Sequence, residues 1–402
     1  MSLSAVLRAG ALGVLLLLLA CLAPPASAQL TTSSSDPAAP PPPDPYARLL
    51  ELLLGDARVR ERPRAVDAPE FIPVSDASLY MDRDAQVLVE EPAREGGPVF
   101  IYPRDILARH EVLNLQDEAG ARRSVTYSPL TGSVAGYLGA LGARSFALGT
   151  TGQFLNMNRV LYDRATNSLW PQIMGECISG PLRGQRLERF ALLWTRWGPA
   201  SGRWPGARVL SRRTGFRVNY DRDPYGSYRR DDTWYTTGDP RGPIAHTDAR
   251  LGPKERVLGL AVGEAALAFS EAAVRQRGVA SATAGLEPLV AILDPGLDAV
   301  RVFHAEADGR ALTFERVGDE IIDEQTRSRW AVTGRAVEGR LRGMALERVA
   351  AMDCMWFAWA AFYPETLLWT GPGNPLEALP AGPADPGTGV LPTMMPSTAP
   401  EM

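Results

Sequence analysis

The chain has 402 residues, 45% hydrophobic and 22% charged, with a formal net charge of −4. That composition is globular and excludes a mainly disordered or collagen-like chain. With 42 basic against 46 acidic residues there is no global cationic field to favour nucleic acid, and three cysteines are too few for a disulfide scaffold.

The N-terminus reads as a secretion signal. Arg8 supplies the charged region, residues 11–20 form an apolar run, and Ala26-Ser27-Ala28 is an A-x-A cleavage site before Gln29. The run falls short of the roughly 20 residues a membrane span needs. An alternative reading takes Leu18-Leu19-Ala20-Cys21 as a lipoprotein box, which leaves Cys21 lipidated. Either way the mature chain is expected to be extracytoplasmic, periplasmic or secreted, without a transmembrane segment. Residues 29–45 are a Ser/Pro-rich linker, because proline fixes φ and lacks an N–H. The Pro/Gly-rich stretch 371–402 reads as a disordered tail. The folded part is then residues 46–370. Helices are expected over residues 46–54, 103–114 and 263–275.

The folded part contains an internal repeat. Thr166-Asn167-Ser168-Leu169-Trp170 is matched by Thr326-Arg327-Ser328-Arg329-Trp330, and residues 175–189 match 334–348 at eight of fifteen positions. A W-x-x-W follows in each copy, Trp194/Trp197 and Trp356/Trp359. Val160-Leu161-Tyr162, a polar turn at 163–167 and Ser168-Leu169-Trp170 read as strand, turn and strand: short polar side chains suit the turn, aromatic and branched ones its flanks. The expected fold is mainly β, a β-rich α+β arrangement of two tandem, pseudo-two-fold-related β lobes with few short helices. The lobes are expected at 46–254 and 255–370, with a ligand groove where they meet. Copy one carries Tyr102-Pro103, His110-Glu111 and Thr126-Tyr127-Ser128-Pro129-Leu130-Thr131-Gly132. Copy two offers Phe269-Ser270, Arg277 and Ala291-Ile292-Leu293-Asp294-Pro295-Gly296 at the approximate counterparts. Any site is therefore expected in copy one.

Six segments carry a family resemblance. I-Y-P-R-D-I-L-x-R-H-E-V-L-N (101–114), T-Y-S-P-L-T-G-S (126–133), Y-D-R-A-T-N-S-L-W-P-Q (162–172), D-P-Y-G-S-Y (223–228), K-E-R-V-L-G-L (254–260) and W-F-A-W-A-A-F-Y-P (356–364) occur in that order. The chain resembles the bacterial domain of unknown function family 3179 over residues 71–369. The resemblance implies no activity. It does imply a Cys-x-x-Cys where this chain has Ser128 and Thr131, so any thiol chemistry of the family motif is expected to be missing there. The first glycine-rich strand of the family is replaced by Val87-Leu88-Val89-Glu90-Glu91.

His110-Glu111, at the end of an expected helix, reads as a general base or metal ligand, or as a structural histidine bonded to a carbonyl. Ser128 lacks the G-x-S-x-G pattern of a nucleophile elbow and reads equally as a turn residue held by Pro129. Arg164, beside Tyr162, suits an anionic group, unless it pairs with a surface acid while Asp163 caps the turn. Trp170 and Gln172 either line the same cavity or belong to the core. Tyr225 suits carbohydrate or peptide contact, or closes a loop. Tyr102 and Tyr127 complete the aromatic surround. Cys177 and Cys354 read as inert core thiols, a disulfide or a rebuilt thiol site. No cofactor is expected, and no metal either, since His110, His246 and His304 show no metal-ligand spacing. The expected function is non-catalytic binding of a small molecule or an envelope component. Alternatives are an enzyme using His110/Glu111 as acid–base, and a metal or redox protein.

Overall fold

The computed structural model describes residues 44–92, 96–117, 119–142, 144–228 and 230–371. The expected signal segment, the linker through residue 43 and the tail from residue 372 lie outside the described residues. The described chain is mainly β, with six helices of at most seven residues among many short strands. No helix among the described residues is long and apolar enough to cross a membrane.

In the first half, β1 (Gln86–Glu90) and β2 (Phe100–Pro103) form an antiparallel pair that leads into helix α1 (Arg104–His110). A meander follows: β3 (Val112–Gln116), β4 (Arg122–Ser128) and β5 (Ser133–Leu138). Next come β6 (Leu148–Leu155), β7 (Asn158–Asp163) and β8 (Leu169–Pro171). The chain then returns through β9 (Leu193–Arg196), α2 (Trp197–Arg203) and β10 (Arg208–Leu210). β9 pairs with β1, and β10 runs parallel to β2, giving the order β9-β1-β2-β10.

The second half repeats that plan. β11 (Arg256–Val262) and β12 (Ala265–Ser270) lead into α3 (Glu271–Arg277). The meander is β13 (Val279–Ala284), β14 (Glu287–Asp294) and β15 (Ala299–His304). After β16 (Glu320–Asp323) and β17 (Arg329–Trp330), the chain returns through β18 (Met352–Met355), α4 (Trp356–Phe362) and β19 (Leu367–Trp369). The order is β18-β11-β12-β19, with β19 again parallel to its neighbour.

The halves are joined within one sheet. β5 pairs with β18 at Val134↔Asp353, so the first meander continues into β18, β11, β12 and β19 as part of an eight-stranded sheet. The core follows suit: Tyr137 and Trp170 pack in one cluster with Trp356 and Trp359.

Local chemistry explains the repeated turn. Leu161 faces Trp170 in the first half and Ile321 faces Trp330 in the second. Gly180 and Gly339 take φ of +102° and +92°, and a Cβ on either would lie 2.7 Å from the Cα of Ser168 or Ser328. Only glycine fits such an approach at positive φ.

The helices are shorter than the sequence pattern suggests. The first is Ala47–Glu51, after which Leu54–Gly55 pairs with Phe154 and Gln153. In residues 103–114, α1 ends where Glu111 turns left-handed at φ 59°, and Val112 starts β3. In residues 263–275, Ala265–Ser270 is a strand. Burial beside β11 overrides the helix propensity of an alanine-rich run. The helix starts after Ser270, whose Oγ accepts from Ala273 N.

Candidate functional site

Ser128 ends β4 and Thr131 lies in the β4–β5 turn; both are buried, at 1% and 0% exposure. They belong to a polar network in which β4 and β5 of one sheet meet β7 of another, with Gln172 joining from just beyond β8. Ser128 Oγ accepts from the backbone N–H of Arg159 at 3.2 Å. Asn158 Nδ2 donates to Thr131 Oγ1, Ser133 Oγ and Gln172 Oε1 at 3.1, 3.0 and 2.9 Å. Gln172 Nε2 donates to Thr126 Oγ1 at 3.2 Å, and Asn158 Oδ1 accepts from Ile173 N at 2.9 Å. These amide and hydroxyl groups satisfy one another, which is what burial of polar atoms requires.

Beside the network lies a layer of buried arginines and tyrosines. Arg104, the first residue of α1, donates through Nη1 to Asp223 Oδ2 at 2.6 Å and Tyr235 Oη at 3.1 Å. Its guanidinium lies 5.3 and 5.2 Å from the ring centres of Tyr228 and Tyr235, which stack on each other at 4.0 Å. Burial works against the Arg104 charge, but the surrounding tyrosine oxygens and Asp223 outweigh it and hold the group protonated. Tyr127 donates to Tyr235 at 3.3 Å. Arg256 reaches across the join between the halves to sit 4.1 Å from the ring centre of Trp194, and is bonded to Asp353 within its own half. Burial drives the Asp353 carboxyl upward despite that arginine.

Residues 221–228 and 230–237 lie against this layer, with Asp223, Tyr228 and Tyr235 turned into it. Trp234 Nε1 donates to Leu130 O at 2.9 Å, and Lys254 Nζ, 3.8 Å from the Trp234 ring centre, donates to Thr237 O at 2.6 Å. Tyr225 lies within the first of these segments, its hydroxyl pKa raised by burial first and by the nearby Glu111 charge second.

The sequence-derived candidates fall into separate places. Ser128, Thr131 and Gln172 share the polar network, and Tyr127 and Tyr225 the adjoining layer. Glu111 is bound by Arg159, Nη2 to Oε1 at 2.8 Å with a second bond from Nε to Oε2. His110 turns elsewhere: Nδ1 bonds Arg64 O at 2.8 Å and Nε2 bonds Tyr220 Oη at 2.7 Å. Burial, foremost, lowers its pKa. Tyr102 is buried with its hydroxyl on Glu90. Tyr162 donates to Glu61 at 2.7 Å, and Arg164 pairs with Glu61 and Asp67 at 2.9 and 2.8 Å. Trp170 is core, 1% exposed, its indole N–H on Asp163 at 3.1 Å. Cys177 and Cys354 are buried free thiols rather than a disulfide.

Sequence reasoning passed over Asn158, Ser133, Arg104, Arg159, Tyr228 and Arg256. Arg104, Ser133, Tyr228 and Arg256 stand inside the motifs quoted above, yet nothing in a linear motif says which of its side chains face inward. Among the described residues, no group of three or more His, Cys, Asp or Glu side chains is placed to hold a metal ion.

The site therefore defines a β-built protein with a repeated scaffold and a hydrogen-bonded polar interior in its first half. The chain belongs to the family described as protein of unknown function, DUF3179, whose model matches residues 63–366. No curated protein and no solved structure matches it.

Proposed function

We propose that this is a non-catalytic, extracytoplasmic binding protein that takes a small molecule or another envelope component on the face of its first half. The observation that carries this reading is the self-satisfied network at Ser128 and Thr131. Thr131 Oγ1 meets Ser133 Oγ at 2.7 Å, and Ser133 donates to Gln172 at 2.6 Å, so the hydroxyls are spent on structure. The join near β5, β9 and β18 leaves only about 10 Å³, room for one water. A wider opening, about 140 Å³, lies beside Arg164. The acid–base alternative has less support, because both ring nitrogens of His110 and both carboxylate oxygens of Glu111 already have partners.

Purified mature protein is expected to show saturable, ligand-dependent rises in melting temperature while the ligand is recovered unchanged. Mass spectrometry showing the ligand consumed would overturn the non-catalytic reading. For the location, a mature chain starting at Gln29 is expected. A lipidated start at Cys21 would replace a free protein with an anchored one.

A further inference from the structure

The opening beside Arg164 is formed where the end of the β3–β4 pair meets the end of β7. Gln116 and Arg122 are the last partners of that ladder and lie on one face with Asn114. Arg164 is fixed opposite them, its backbone N–H on Ala147 O at 3.0 Å. Asn114, Gln116, Arg122, Arg164 and Asp67 line the space, about 140 Å³. That is roughly ten times the minimum of about 10–15 Å³ that admits a single water.

The polar groups of this wall are unequally used. Asn114 is saturated: Nδ2 donates to Asp67 Oδ1 at 2.8 Å and Leu148 O at 2.9 Å, while Oδ1 accepts from Leu148 N and Ser124 Oγ. Arg164 divides its guanidinium between Glu61 and Asp67. The Arg122 backbone is held in the sheet, its oxygen accepting from Gly139 N at 2.7 Å, but its guanidinium has no hydrogen-bond, ion-pair or ring partner among the described residues while lining the same space. Asp67 is half exposed, and its carboxylate is held by Arg164 and Asn114. The wall thus already receives one carboxylate and keeps an unused guanidinium next to it. The counterpart of Arg164 in the second half is Glu324, so the cationic character is not a requirement of the repeated scaffold.

The geometry points to this opening as a seat for a small oxyanion, a carboxylate or inorganic phosphate, held by the unpaired guanidinium of Arg122 beside Arg164, whose own guanidinium is already shared with Glu61 and Asp67. Guanidinium groups take such oxygens through paired charge-assisted hydrogen bonds. This assignment rests on the binding-protein reading and gives it a ligand class.

The test titrates inorganic phosphate and, separately, succinate into the mature protein, against sodium chloride of equal ionic strength. Melting temperature and calorimetry are the readouts. Saturable binding of one or both is expected, and comparing the two arms separates phosphate from carboxylate. Arg122→Gln should weaken it by about tenfold or more, since a charge-assisted contact is lost. It should leave the ligand-free melting temperature unchanged. Arg340→Gln, an exposed arginine of the second half, should bind like the parent. The seat is refuted if neither anion binds saturably, or if Arg122→Gln binds as well as the parent. Binding of uncharged ligands alone would remove the oxyanion assignment and leave the binding-protein reading standing.

Discussion

Asp163 and Asp323 perform the same task in the two halves. Asp163 Oδ1 accepts from Thr166 N at 2.6 Å, and Asp323 Oδ1 from Thr326 N at 2.6 Å. Their Oδ2 atoms accept the indole N–H of Trp170 at 3.1 Å and of Trp330 at 3.0 Å. Both carboxylates are fully buried, so each is the organising acceptor of a turn and an anchor for a core tryptophan.

Asp163→Ala and Asp323→Ala should therefore each destabilise the protein by about 3 kcal/mol, because each strands several buried donors. Urea unfolding of the two variants measures this. A near-neutral result for one of them alone would break the equivalence of the two turns.

Glu111 and Arg159 form a buried bidentate pair, their side chains 2% and 6% exposed. Removing either partner leaves a buried charge without compensation, so Glu111→Leu or Arg159→Met alone should cost about 3–5 kcal/mol. The double variant should recover much of that loss. A double-mutant cycle checks it, and additive losses would show that the two residues act independently.

Thr131→Val keeps the shape of the side chain and removes the hydroxyl that Asn158 and Ser133 address. The expected cost is about 1–3 kcal/mol, from donors left unsatisfied. Ligand-induced shifts in melting temperature should be preserved once compared with the variant's own baseline. Loss of binding with unchanged stability would move Thr131 from the scaffold to the binding surface.

His110 gives stability a pH dependence of known sign. Its folded pKa lies below the ordinary 6.5, chiefly through burial. The unfolded chain then binds the proton more readily, so this contribution is complete above about 6.5 and declines as pH falls toward the folded value. Melting temperatures from about pH 7.5 down to about pH 5 should fall less steeply in His110→Gln than in the parent. Equal slopes would show that the ring is not held neutral by the fold.

Much of the local architecture is legible in the sequence. The strand–turn–strand at 160–170 can be read because every group that makes it lies within a few residues: Asp163, Thr166, Ser168 and Trp170. The same spacing at 323–330 exposes the repeat. The helix expectation over 263–275 went astray because alanine is compatible with a strand when both faces are buried. The candidate list found Ser128, Thr131 and Gln172 but not Asn158, whose amide links Thr131 to Gln172. A lone asparagine in a strand carries no linear signal of being a hub. His110 and Glu111 are adjacent in sequence, yet the left-handed turn at Glu111 sends one toward Tyr220 and the other toward Arg159.

What the sequence determined by itself is everything that short-range hydrogen bonds and composition can specify: a β-rich class, two copies of one turn, and their capping aspartates. Only the tertiary structure decided that β5 pairs with β18, that Arg104 meets Asp223 across 119 residues, and that Arg122 and Arg164 share one opening. The reason is physical. A turn is closed by groups a few bonds apart, whereas sheet register selects partners by burying many side chains at once, and no single residue carries that choice.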